Sequence, residues 1–341
     1  MSSPGDQTAY LLNNLTKPPG SLGFLEDIAI RLSEITGVSP PRVPESCAVA
    51  VFAGDHGVVE EGVTPWPSEV TSQMVLNFLS GGAAINVLAR HVGASVTVID
   101  VGVAGDLKDL PGLVRANVRA GTRNLANEDP MTDDEVEAAL NVGRVTARDL
   151  AETGCDLLAT GDMGIGNTTP SAALIGAYCK KTAREVTGRG TGIDNTHFER
   201  KLAVVDKALA RLDRSEQSPT YLLRALGGLE IAAIAGFILE ATQARVPVVV
   251  DGVISLAGAL AANAINPMVR EVIFAGHRST EPAAQIALDH LGLRPILSLD
   301  MRLGEGTGAC LAMGVIQVAA KITLEMATFD SAGVTNKDAS Q

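Results

Sequence analysis

The feature that most restricts how this chain can fold is a unit that recurs six times: an apolar strand, a glycine-containing polar loop, then a helical segment. The strands read at 47–52, 95–101, 156–160, 246–250, 271–275 and 295–301. Strands alternating with helices imply an α/β fold, with a mostly parallel six-stranded sheet and helices on both faces. In such sheets ligands bind beyond the carboxyl ends of the strands. The polar loops all fall at those ends, so they can converge on one pocket.

Composition narrows what that pocket can take. At 341 residues the chain is long enough for a sizeable core, and 46% hydrophobic residues supply it. A net charge of −12 argues against a general nucleic-acid or anionic-membrane surface, which needs a basic footprint. An anionic substrate must therefore be met by a local cluster of cations and donors. The four cysteines are widely spread without a C-x-x-C pair, and the five histidines show no metal-ligand spacing, so no metal or redox cofactor is expected. The N-terminus lacks the basic and apolar regions of a signal peptide, and Ile231–Leu239 is too short to span a bilayer. A cytoplasmic protein without membrane insertion is the expectation.

Several loops carry candidate chemistry. Gly304-Glu305-Gly306 places one acid in a turn that opens a helix. Such turns usually offer bare N–H groups to a phosphate. A central glutamate would repel that phosphate, so the loop reads better as the seat of a base; a helix-end charge contact worth ~0.3–1 kcal/mol is the plainer alternative. Residues 161–174, GDMGIGNTTPSAAL, bring Gly161, Gly164 and Gly166 ahead of Asn-Thr-Thr-Pro and form the best anion cradle in the chain. No Lys-Ser/Thr follows, so it is not a Walker loop. A second glycine loop, TGRGTGID at 187–194, precedes a helix carrying Lys201, and GHRSTEP offers donors at 277–280. Asp55-His56 after the first strand suits either acid–base work or loop ordering, and TKPPGSLG at 16–23 reads as a structural arm. The tail from Thr328 is expected to be loose at its end.

Nine ordered motifs, TKPPGSLG, AGDHGV, EVTSQM–NFLSGGAAINVLAR, GDMGIGNTTPSA, GRGTGID, ALGGLEIAA, VVVDG, GHRSTEP and LSLDMRLGEGTGA, together resemble the nicotinate-nucleotide:dimethylbenzimidazole phosphoribosyltransferase family over about residues 15–334. The resemblance implies transfer of phosphoribose from nicotinate mononucleotide to a benzimidazole, with Glu305 as general base and Asp162 as a second acid near the ribose. It places Gly164, Gly166, Gly190, Lys201 and Ser279 at phosphate or nucleotide contacts, and Gln73 and Leu303 near the base pocket. It further implies a homodimer, no metal, and a Rossmann-like large domain at 40–310 with a smaller helical domain from 1–39 and 311–341. The family loop more usually reads G-E-M-G-I-G-N, whereas Asp162 stands here in place of that Glu, and the Trp66-Pro67-Ser68 region is less regular. Transfer to another base (adenine, another benzimidazole or a phenol) and a non-catalytic nucleotide-binding protein are the alternatives.

Overall fold

The computed structural model describes residues 2–107, 110–190, 192–213, 215–216 and 218–336. Thr191 of the second glycine loop and the tail end at 337–341, expected to be loose, lie outside the described residues. Among those described, seven strands form one sheet: β1 (Cys47–Gly54), β2 (Ala94–Gly102), β3 (Leu113–Arg115), β4 (Leu157–Met163), β5 (Val248–Val250), β6 (Ile273–His277) and β7 (Pro295–Leu297). Every neighbouring pair is parallel, in the order β3-β2-β1-β4-β5-β6-β7.

The sheet thus has one strand more than the sequence pattern indicates. The addition, β3, is three residues long with Val114 and Arg115 exposed at the sheet edge, so no apolar run marks it. At the other edge the last strand ends at Leu297 rather than 301. The chain turns there, and Asp300 takes a φ of 54°.

Strand order reverses at β1. The chain runs outward through β2 and β3, then returns to pair β4 on the other side of β1. This reversal is the switch point where open parallel sheets leave a crevice at their carboxyl ends.

Alternate residues of β1 feed two cores. Ala48, Ala50 and Phe52 join the helices Asp133–Glu152, Leu229–Ala244 and Val253–Ile265 on one face. Val49, Val51 and Ala53 join the other face, with Leu12, Ile28 and Leu32 from the two N-terminal helices and Cys310, Met313 and Ile316 from the Thr307–Glu325 helix. Period-two side-chain alternation in a doubly covered strand produces this division. The Thr307–Glu325 helix is long and apolar enough to cross a bilayer, the one such helix among the described residues, but it packs against the sheet and the Phe24–Thr36 and Ala84–Val92 helices.

The N-terminal arm ties the chain ends together. Lys17 Nζ donates to Glu26 Oε1 at 2.8 Å in a buried pair, and Leu15 bridges to Thr328.

Candidate active site

Glu305 stands in a backbone conformation that glycine adopts freely and glutamate does not. Gly304, Glu305 and Gly306 have φ values of 85°, 62° and 87°. A non-glycine residue there costs on the order of 1–3 kcal/mol, so the acid is held against its own preference. Its Oε2 accepts a hydrogen bond from Ile85 N at 3.3 Å. Ile85 lies in the first turn of the Ala84–Val92 helix, which starts afresh because the chain breaks at Gly81-Gly82 after the Glu69–Leu79 helix. That break, legible from the paired glycines, supplies the donor.

The plainer role for Glu305, a contact with the helix that follows it, falls to another residue. Asp251, at the carboxyl end of β5, accepts from Gly306 N at 3.2 Å and from Ala309 N at 2.9 Å. It therefore caps the Thr307–Glu325 helix and pins the loop that carries Glu305. His277 Nε2 lies 3.5 Å from the same carboxylate. Glu305 itself is 6% exposed. Burial pushes its carboxyl above the usual range, the Asp251 charge adds to that, and the Ile85 N–H opposes it.

Asp162 ends β4 beside this loop. Its Oδ2 accepts from Asn167 Nδ2 at 3.0 Å, while its Oδ1 has no hydrogen-bond partner among the described residues. Burial, then the negative charge of Asp251, hold its carboxyl well above the ordinary value. A β-carbon on Gly304 would lie 3.1 Å from Asp162 Oδ2, so glycine is what lets the base loop rest on this acid. Gly164 is equally constrained: a β-carbon there would collide with the Gly54 carbonyl and approach His56 Nε2 at 3.2 Å.

Lys201 reaches the same region from the Asn195–Ala210 helix and is 2% exposed. Its Nζ donates to Thr168 Oγ1 at 2.9 Å and to the Gly188 carbonyl at 3.2 Å. Burial lowers its ammonium to about 8, opposed by the Glu281 charge. Glu281 also fixes the loop opposite, since Gly190 N donates to its Oε1 at 2.8 Å. Gly190 has a φ of 55°.

A cavity of ≈ 410 Å³ draws these groups together at the carboxyl end of β4, beside the switch point. Glu305, Asp162, Gly164, Gly166, Gly190, Lys201 and Leu303 all line it, with an apolar wall that includes Val63, Trp66, Val70 and Met74. Gln73 and Ser279 are not among the lining residues. Gln73 is exposed on the Glu69–Leu79 helix, and Ser279 is buried, accepting from Glu281 N at 3.4 Å. A larger hollow of ≈ 720 Å³, bordered by Tyr178 and Leu212, contains none of these groups.

Two polar residues, Asp251 and Glu281, matter more than their sequence context suggests. Asp251 and Glu281 act through backbone N–H groups distant in the chain, which no local spacing reveals. His56 Nε2 meets Glu230 Oε1 at 2.8 Å in a fully buried pair beneath Gly164, and Asp55 Oδ2 accepts from Ala104 N at 2.8 Å. Asp55-His56 thus orders loops under the cavity and does not line it.

A buried carboxylate, a buried lysine and a glycine cradle at the switch point of a parallel sheet make this an α/β protein of the class whose ligand site lies beyond the carboxyl ends of its strands. The chain belongs to the family described as Phosphoribosyltransferase, whose family model matches residues 4–334. A relative from Salinispora tropica named nicotinate-nucleotide--dimethylbenzimidazole phosphoribosyltransferase is 51% identical, covering 96% of this chain and 94% of its own. One of the same name from Geobacter sulfurreducens is 52% identical over 97% and 94%. The crystal structure of CobT from Thermus thermophilus superposes with a TM-score of 0.94 at 48% identity, covering 98% of this chain and 99% of that one.

Proposed function

We propose that this chain transfers phosphoribose from nicotinate mononucleotide to 5,6-dimethylbenzimidazole, the reaction named for its relatives, in the synthesis of the cobalamin lower ligand. The observation that carries this reading is the sharing of one cavity by the Glu305 carboxylate, Lys201 and the Gly164–Asn167 loop. Glu305 removes the azole N–H proton while the other ring nitrogen attacks C1′. The C1′–N bond to the pyridine breaks with its electron pair on nitrogen, nicotinate leaves, and the β-glycosidic bond becomes α. The substrate brings its own leaving group, so activating the acceptor is the main task left to the protein. A carboxylate held above its ordinary pKa in an apolar setting suits a base at neutral pH.

In this reading Asp162 faces the ribose, while Gly164, Gly166, Gly190, Lys201 and Ser279 serve the phosphate or the nucleotide. Leu303, on the cavity wall, serves the acceptor together with Gln73, which stands outside the cavity lining. The enzyme works as a cytoplasmic homodimer, with 40–310 as its catalytic domain and 1–39 with 311–341 as a smaller helical one. Trp66, 53% exposed on the cavity wall, is the observation that favours testing other acceptors beside dimethylbenzimidazole.

The test is incubation with nicotinate mononucleotide and a panel of azoles, adenine and phenols, with products identified by mass. Mononucleotide binding without nicotinate release for any acceptor would favour a sensor instead. Glu305→Gln is expected to lower kcat by ~10²–10⁴ with little change in substrate binding. The base must be ionised and its pKa is raised, so activity should fall as pH drops through a value above 4.5. That acid limb should vanish in the variant, and unchanged turnover would remove Glu305 from the mechanism.

A further inference from the structure

The phosphate end of this cavity is short of positive charge. Four charged side chains line it, Asp162, Glu305, Lys201 and Arg189, and two of these are acids. Lys201 Nζ already donates to Thr168 Oγ1 and the Gly188 carbonyl, and the Glu281 carboxylate holds the neighbouring Gly190 N. A phosphate monoester carries about −1.5 to −2 at neutral pH, so a single lysine leaves it under-neutralised.

Arg189 is the cation left to answer that charge. It sits on the cavity rim, next in sequence to Gly190, whose position faces Thr168 Oγ1 and Lys201 Nζ. Its guanidinium is held in place: Nη1 donates to the Ile193 carbonyl at 2.9 Å, Nη2 donates to Asn195 Oδ1 at 2.6 Å, and the group lies 5.0 Å over the Phe198 ring. Between described residues the ion-paired arginines are Arg119, Arg123, Arg144, Arg148, Arg211 and Arg224, and Arg189 is not one of them. A guanidinium has five N–H donors, so two protein contacts leave three for a ligand. The planar fork matches phosphate oxygens in pairs, and its charge persists at any working pH.

We propose that Arg189 is a second phosphate-binding cation, one that makes the site select phosphorylated nucleosides over their unphosphorylated counterparts. The proposal rests on the nucleotide-binding reading above. Phe198, Ile193 and Asn195 pre-position the guanidinium, so less freedom is lost when the phosphate arrives.

Calorimetric titration of the full chain with nicotinate mononucleotide and with nicotinate riboside, which lacks the phosphate, provides the test. Arg189→Gln should weaken mononucleotide binding about 10–100-fold, the usual worth of a charged hydrogen bond. Riboside affinity should stay within about 2-fold, and Arg189→Lys should recover part of the loss. Equal weakening toward both ligands would make Arg189 a loop-holding residue and overturn the proposal, as would no weakening toward either. Failure of the unaltered chain to bind the mononucleotide would sink the nucleotide reading itself; normal binding unaffected by substitution would sink the role of Arg189 alone.

Discussion

Asp162 is a carboxyl group whose burial favours its neutral form, with one oxygen bonded to Asn167 and the other without a partner among the described residues. Its folded-state pKa lies well above the unfolded value. Its favourable contribution is therefore fully present below the unfolded pKa of about 3.9 and is lost as pH rises through the folded value. Asp162→Asn keeps the acceptor for Asn167 and removes the buried charge, so it should raise stability at neutral pH by roughly 0.5–2 kcal/mol in denaturant titration while lowering turnover. A less stable Asn variant at neutral pH would show that the ionised form is the better accommodated. The same residue shows what a sequence can disclose. Asp162 and Glu305 were visible because each sits among glycines at a strand end, a pattern with chemical meaning by itself. Asp251 was visible only as the end of a strand, because the N–H groups it accepts from lie 55 and 58 positions further on.

Between elements, the tightest junction joins the helices Asp133–Glu152 and Leu229–Ala244. A β-carbon on Gly143 would strike the Ala233 carbonyl, and one on Gly236 would strike the Leu140 carbonyl, so the two backbones touch. Gly236→Ala should force them apart and cost about 1–3 kcal/mol, measured as a lower denaturation midpoint at unchanged slope. An unchanged midpoint would mean that the helices slide past each other at no cost. The apolar character of Leu229–Ala241 on nearly every face announced such a buried helix, and the strands on both sides of the switch point were equally plain. The edges of the sheet were not. β3 has three residues and an exposed outer side, so its pairing to β2 is set by the sheet and not by its own composition. β7 loses its expected second half to the turn around Asp300.

At the scale of the molecule, the two chain ends do not keep a core to themselves. Leu12, Ile28 and Ile316 share one cluster with Val49, Val249 and Phe274 of the sheet. The proposed smaller helical domain should therefore unfold with the larger one. Far-ultraviolet circular dichroism and the emission of Trp66, the chain's single tryptophan, should give coincident denaturant transitions. Two separated transitions would assign the terminal helices a stability of their own. The seating of Glu305 also ties the candidate site to the integrity of the whole fold. Ile85 N, in the Ala84–Val92 helix, and the Glu305 carboxylate that accepts from it, just ahead of the Thr307–Glu325 helix, are 220 positions apart in the chain. Both elements belong to the one core that also holds Val49 and Phe274, so local opening of either helix releases the Glu305 carboxylate from its donor.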